Sequence, residues 1–136
     1  MRSVMRRQDI GEIYRLVAKL SAVAECDPET ARRVKMESLL NVLAAAREVE
    51  ARVFFPSPIA AFGATTPRVD APQVAVQRPS TMCGVPKVAG ELLRDYYAAR
   101  LGVELRGLRL PGLIFCVAPP AGGATDYAVE MLRATA

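Results

Sequence analysis

Short apolar segments alternate with longer segments of helical periodicity along this 136-residue chain, and this order restricts the possible folds more than any other feature. The predicted order is strand, helix, strand, helix, strand, helix. Because consecutive parallel strands need a crossover connection, usually a helix, the order predicts an α/β fold with a parallel sheet and right-handed crossovers. A chain of this length has room for one domain with a modest core.

Three segments are predicted as strands. The segments 12–18 and 52–55 are short and mostly apolar, as buried parallel strands are, whereas 104–110 alternates apolar and polar residues. The second strand is expected to end at 56–58, because proline cannot donate a hydrogen bond to a strand ladder. The segment 63–79 is rich in proline, threonine and polar residues and is predicted as a loop.

Three segments are predicted as helices. The first runs over 28–50, with Asp27 as its N-cap and a proline at its first position. The second runs over 82–101 and ends at Gly102, because glycine readily adopts the left-handed conformation that terminates helices. The last is expected over 125–134.

The composition is typical of a globular protein. Hydrophobic residues make up 51% and charged residues 24% of the sequence, which is too apolar for a disordered chain. The longest apolar stretch, 110–124, is broken by prolines and glycines, whereas a membrane span needs about 20 unbroken apolar residues. Residues 1–9 lack the apolar run of a secretory signal. We therefore expect a cytoplasmic protein that does not cross a membrane.

The cysteine and histidine content excludes several chemistries. The three cysteines, Cys26, Cys83 and Cys116, are widely spaced, form no CxxC pair and are accompanied by no histidine. No metal site is therefore expected, and free thiols in a reducing compartment are the simplest interpretation. Without histidine, no Ser-His or Cys-His nucleophilic mechanism is available.

The net charge of +4 is mildly basic. The basic residues cluster in two places, at Arg2, Arg6 and Arg7 and at Arg32, Arg33 and Lys35. Because no nucleic-acid-binding motif accompanies them, we interpret both clusters as solvated faces and predict no nucleic-acid partner. A nucleic-acid binder that uses the basic N-terminus is the weakest alternative, and salt-dependent retention on DNA would identify it.

The segment 81–91, T-M-C-G-V-P-K-V-A-G-E, carries the strongest functional signal. It looks like an active-site helix in which a tyrosine stands four residues before a lysine, with Lys87 as the lysine and Cys83 at the tyrosine position. Matching blocks follow one another along the chain at 13–22, 39–47, 53–63, 77–91, 96–97 and 108–114. The ordered set resembles the extended short-chain dehydrogenases, the NAD-dependent epimerase/dehydratase family, and within it the L-threonine 3-dehydrogenases.

This resemblance implies a partial Rossmann-like, doubly wound parallel sheet that contains only the middle strands and helices of the family's domain. Residues 1–136 are then a single partial domain. The family's glycine-rich turn, which holds the dinucleotide pyrophosphate, has no counterpart, because no G-x-G-x-x-G pattern occurs. The C-terminal substrate lobe is also lacking, so we expect a fragment.

The resemblance also implies a chemistry and shows where this chain departs from it. In the family, the tyrosine takes a proton from the substrate hydroxyl while hydride passes to NAD, and a serine holds the substrate oxygen. Here Cys83 replaces the tyrosine, Pro58 aligns with the serine, and Lys35 aligns with a helix asparagine. Ser57 is adjacent to the serine position but is expected to point elsewhere. A thiol ends several ångströms short of a phenol oxygen, and even a roughly 1 Å misplacement costs about a hundredfold in rate.

Further site residues follow from the resemblance. Leu16, Val17 and Ala18 are expected with Lys87 at the cofactor, and Ser21, Thr125 and Asp126 at the L-threonine substrate. Thr125 is equally explained as a helix cap that needs no substrate.

Two functions remain open at this stage. The first is an NAD-dependent oxidation of L-threonine to 2-amino-3-ketobutyrate, with this chain expected to be inactive because the tyrosine and serine are replaced. The second is a non-catalytic remnant or dimerising module of the same family. In that case a homodimer would form through the helices at 28–50 and 82–101.

Overall fold

The computed structural model describes residues 2–17, 21–111, 131 and 133–134, and its strands form two small parallel sheets. The strands are β1 (Glu12–Tyr14), β2 (Arg52–Phe54), β3 (Ser57–Pro58), β4 (Leu105–Arg106) and β5 (Arg109–Leu110). The helices are α1 (Arg2–Arg7), α2 (Ser21–Cys26), α3 (Pro28–Val49) and α4 (Val85–Leu101), and a 3₁₀ turn covers Ile59–Ala61. One sheet has the order β1-β2-β4, and β3 pairs with β5. The predicted α/β class with parallel strands is confirmed.

The register of the larger sheet directs its apolar residues toward the helices. Ile13 of β1 pairs with Val53 of β2, which also pairs with Leu105 of β4. Val53 is fully buried against two alanines of α3, Ala45 and Ala46. Because these residues are small, α3 approaches the sheet closely and packs directly on β2.

A second core cluster surrounds Phe55, directly after β2. Its ring is buried together with Leu39 and Leu43 of α3, and Leu93 of α4 packs against this group. The approach of α4 depends on Gly90, because a Cβ added there would lie 2.6 Å from Phe55 Cζ. Phe55 therefore fixes how both long helices meet the sheet.

The ends of the long helices agree with their sequence signals. The carboxylate of Asp27 accepts a hydrogen bond of 3.2 Å from the Thr30 backbone N–H at the start of α3. Gly102 follows α4 with a φ of 67°, and its N–H bonds to the Tyr97 carbonyl. The prediction of α3 over 28–50 is thus confirmed, because its cap and periodicity are local properties.

Several predicted boundaries were wrong. The helix expected over 82–101 begins at Val85, since residues 81–84 form a turn closed by a 3.0 Å bond from the Val85 N–H to the Thr81 carbonyl. The strand expected over 12–18 ends at Tyr14. The strand expected over 104–110 is divided into β4 and β5, which belong to different sheets.

The predicted second strand does end before the prolines, at Phe54, but a further short strand follows it that was not predicted. Ser57 and Pro58 form β3, because the Ser57 N–H donates to the Leu108 carbonyl at 2.9 Å and supplies the bond that the prolines cannot make. The short helices α1 and α2 were not predicted, because six residues are too few to show a helical period. Residues 63–79 form neither helix nor strand, as predicted. The last helix, expected over 125–134, lies largely outside the described residues.

Replacing Gly90 by alanine tests the close approach of α4. Alanine favours helix formation by about 1 kcal/mol relative to glycine, but its methyl group would overlap Phe55 and Leu39. Overpacking of this kind costs about 1–3 kcal/mol, so we expect Gly90→Ala to lower the free energy of unfolding in urea. The exposed Ala98→Gly variant measures helix propensity alone on the same helix. An increase in stability for Gly90→Ala would contradict this packing.

Candidate functional site

Lys87 lies in the first turns of α4 and points into the molecule. Its side chain is only 8% exposed, its ammonium group donates to the Pro56 carbonyl, and Nζ stands 4.6 Å from the centroid of the Phe55 ring. The preceding Pro86 occupies the first turn of the helix, where a missing N–H is tolerated. The start of α4 therefore places the Lys87 side chain next to the end of β2.

Two further cations lie buried nearby. Lys35 of α3 is 2% exposed and its Nζ donates to the Met82 carbonyl at 3.0 Å, so it holds the turn that carries Cys83. Arg15, directly after β1, is 3% exposed, and its Cζ lies 5.6 Å from the centroid of the Phe55 ring. The interpretation of Lys35 as part of a solvated face was wrong, since the inward face of α3 buries it, while Arg32 and Arg33 are exposed.

Burial disfavours the charged state of these groups. Desolvation by burial, followed by repulsion from Arg15, lowers the pKa of Lys87 to about 8. The pKa of Lys35 is lowered chiefly by burial, and burial also lowers that of Arg15. A negative charge on Cys83 acts in the opposite direction on both lysines. The half-buried Cys83 therefore interacts electrostatically with both Lys35 and Lys87.

The Ser57 hydroxyl, next to Pro58, lies beside a carboxylate. Ser57 is buried and lies near Glu91, whose pKa it helps to lower, although no group stands at good hydrogen-bonding geometry to Ser57 Oγ within the described chain. The expectation that Ser57 points away from the serine position stays a prediction. Pro58 itself has no hydroxyl, so the position aligned with the substrate-holding serine offers no donor.

Near Lys87, Glu91 and Arg109 form an ion pair in which the glutamate is buried. Arg109 donates to Glu91 from Nη2 at 2.7 Å and from Nε at 3.1 Å and 3.2 Å, and Gln77 adds a bond of 3.0 Å. Burial would raise the pKa of Glu91, but the hydrogen bonds from Arg109 and Gln77, together with the nearby Ser57 hydroxyl, outweigh it and lower the pKa to about 2. Arg109 also donates to the Gln73 carbonyl at 3.1 Å and thereby ties down the 63–79 loop.

The structure places the remaining predicted site residues as follows. Leu16 and Val17 are exposed after β1, at 70% and 56%. Ser21 begins α2, but its side chain, like Ala18, Thr125 and Asp126, lies outside the described residues. Their cofactor and substrate roles stay predictions. Lys87 and Cys83 are brought together with Lys35, which was expected only as a substituted asparagine.

Sequence reasoning missed Arg15, Glu91 and Arg109 as parts of this region. Arg15 was covered only by the predicted strand 12–18, and Glu91 only as the end of the 81–91 motif. An arginine inside a predicted apolar strand, 12–18, was the available signal. The described residues contain no cluster of ligands for a metal ion. No helix among them is long and apolar enough to cross a membrane.

The fold and the lysine-bearing helix place the chain in a known group of proteins. Residues 1–114 match the NAD dependent epimerase/dehydratase family, and the chain belongs to this family. A curated relative is an uncharacterized epimerase/dehydratase from Staphylococcus aureus (strain MRSA252), 49% identical over 131 residues. The match covers 96% of this chain and 41% of that relative, so the chain spans less than half of the relative's length.

Solved structures similar to this chain give a more specific comparison than the family does. The L-threonine dehydrogenase from Clostridium difficile is 49% identical with a TM-score of 0.91, and the match covers 95% of this chain and 40% of that one. The L-threonine dehydrogenase from Cupriavidus necator in its holo form is 48% identical with a TM-score of 0.92, covering 97% and 43%. The resemblance to threonine dehydrogenases found in the sequence is confirmed.

The Glu91–Arg109 pair predicts an acid-sensitive contribution to stability. The folded-state pKa of Glu91, about 2, lies below its ordinary value of 4.5. Its contribution is therefore fully present above about pH 5 and declines as the pH falls from 4.5 toward 2. Glu91→Gln leaves Arg109 without its counter-charge, and we expect a loss of about 3 kcal/mol at pH 7.

Urea denaturation across this pH range tests the prediction. The stability of Glu91→Gln should depend less on pH between 4.5 and 2 than that of the native chain. The exposed pair of Arg94 and Asp95 provides the control, because Asp95→Asn removes a carboxylate from the same helix at the surface. Parallel pH profiles for the native chain and Glu91→Gln would contradict the assignment.

Proposed function

We propose that this chain derives from an NAD-dependent oxidoreductase of L-threonine and does not catalyse that oxidation by itself. The observation that carries the proposal is the combination of a retained, buried Lys87 with Cys83 and Pro58 at the two positions that supply hydroxyl groups in the family. The lysine supports the ancestry, since it is retained in the motif at the start of α4 and its ammonium group bonds to the Pro56 carbonyl just after β2. The two replacements remove the proton acceptor and the substrate-oxygen ligand.

The residues present fit only one end of the implied cofactor. When bound, NAD would accept hydride from the substrate carbon. Lys87, with the exposed backbone around Leu16 and Val17, would line the nicotinamide end. No glycine-rich turn for the pyrophosphate occurs among the 136 residues. NAD binding by this chain is therefore expected to be weak, and we derive no catalytic step through the cofactor.

The proposed lack of activity is tested by measuring whether NAD is reduced. The purified chain, incubated with NAD and L-threonine, should form no reduced cofactor under conditions in which the C. difficile threonine dehydrogenase does. Turnover that disappears in both Cys83→Ser and Lys87→Met would show that the thiol has taken over the role of the tyrosine, and would overturn the proposal. Turnover that neither substitution changes would identify a contaminating dehydrogenase and would leave the chain inactive, as proposed.

A second candidate function is self-association through the outer surfaces of α3 and α4. Val85, Leu92 and Tyr96 recur at helical spacing on α4 and are exposed, as is Leu40 on α3. Exposed apolar side chains at this spacing are typical of a helix that packs against a partner. This supports a homodimer formed through both helices.

Sedimentation velocity tests the dimer. We expect the native chain to sediment as a dimer at micromolar concentration and Leu92→Glu to shift it to the monomer, because a buried interface charge without a partner costs several kcal/mol. Val74→Glu places the same charge at a fully accessible loop position and should leave the dimer intact. A monomeric native chain would exclude this function.

A further inference from the structure

Three separate elements bring buried cations to one place. Arg15 follows β1, Lys35 belongs to α3 and Lys87 to α4, and each side chain is more than nine-tenths buried. Arg15 and Lys87 both lie over the Phe55 ring, and repulsion from Arg15 contributes to the lowered pKa of each lysine. We call these three residues the cation cluster.

The hydrogen bonds of the cation cluster are made to neutral acceptors. Arg15 Nη2 donates to the Lys35 carbonyl and to Ser38 Oγ, both at 2.6 Å, and the lysines donate to the carbonyls of Met82 and Pro56. An ammonium group carries three N–H donors, so each lysine has donors beyond its one bond. Arg15 Nε is buried and has no partner within the described residues.

Among the described residues, no carboxylate forms a salt bridge with the cation cluster, although Glu25 acts on Lys35, Glu91 acts on Lys87, and a negative charge on Cys83 acts on both lysines at longer range. Throughout residues 2–17 and 21–111, none of its three members forms an ion pair. The nearby carboxylates are engaged elsewhere, since Glu91 accepts from Arg109 at 2.7 Å and Glu25 accepts from the Met82 N–H at 2.7 Å. Buried charges in proteins are normally paired, and an unpaired one costs several kcal/mol. The cluster thus has spare donors and excess positive charge together.

We propose that the cation cluster of Arg15, Lys35 and Lys87 binds a small oxyanion of the phosphate or carboxylate class, which enters beside the half-buried Cys83. The unpartnered Arg15 Nε and the spare ammonium donors belong to three residues from different parts of the chain that act electrostatically on one another, which suits an acceptor with several oxygens. Such an anion neutralises charge that no salt bridge among the described residues balances. The site goes beyond the proposed ancestry and requires neither NAD nor catalysis.

Titration with inorganic phosphate tests the site, with chloride at equal ionic strength as the reference. In the native chain, phosphate should shift the Arg15 Nε–H resonance in a saturable manner and raise the thermal midpoint, because a ligand that binds only the folded state stabilises it. Lys35→Met and Lys87→Met should each weaken phosphate binding by at least about tenfold. Arg33→Met removes an exposed cation from the same helix as Lys35 and should bind phosphate like the native chain.

Acetate in place of phosphate distinguishes the two chemistries within the class. Saturation by acetate at lower concentration than phosphate assigns a carboxylate site, and the reverse order assigns a phosphate site. Equal phosphate dependence in Lys35→Met, Arg33→Met and the native chain would overturn the proposal, as would an Arg15 Nε–H resonance that neither anion shifts. Because Lys35→Met and Lys87→Met remove buried charge without changing the packed volume greatly, both are expected to fold.

Discussion

The position of the Phe55 ring determines how the sheet and the two long helices pack together. Phe55 follows β2 directly, is buried among Leu39 and Leu43 of α3, and meets α4 at Gly90, where a Cβ would stand 2.6 Å from the ring. A larger residue at Gly90 would push α4 outward and move every side chain that the helix carries into the site. The location of Lys87 is therefore a consequence of aromatic packing as much as of its own hydrogen bond.

Near this ring, two sets of buried charged groups differ in the partners to which they bond. Glu91 is matched by several donors of Arg109 and Gln77, and its pKa is accordingly lowered although burial alone would raise it. Among the described residues, the cation cluster donates its hydrogen bonds to neutral acceptors, and burial, followed by repulsion from Arg15, lowers the pKa of Lys87 to about 8. The first arrangement ties the 63–79 loop to α4 and the sheet. The second leaves positive charge available to a ligand.

Local signals in the sequence were reliable for the long helices and unreliable for the short strands. Asp27 and Gly102 mark helix ends through their own backbone and side-chain chemistry, so α3 and the end of α4 could be predicted. β3 could not, because a strand that contains proline exists only where a neighbour such as Leu108 supplies an acceptor. Lys35 was misassigned for a related reason, since the burial of a helix face depends on what packs against it.

The sequence by itself determined the α/β class, the family, and the identity of the residues that stand at the family's functional positions, Cys83 and Pro58 among them. These properties follow from residue order and local periodicity, which need no knowledge of distant contacts. Only the tertiary structure decided that Arg15, Lys35 and Lys87 converge, because they are far apart in sequence and meet through the packing of α3 and α4 on Phe55. It likewise decided that Ser57 lies beside Glu91, since β3 and α4 are adjacent only in the folded chain.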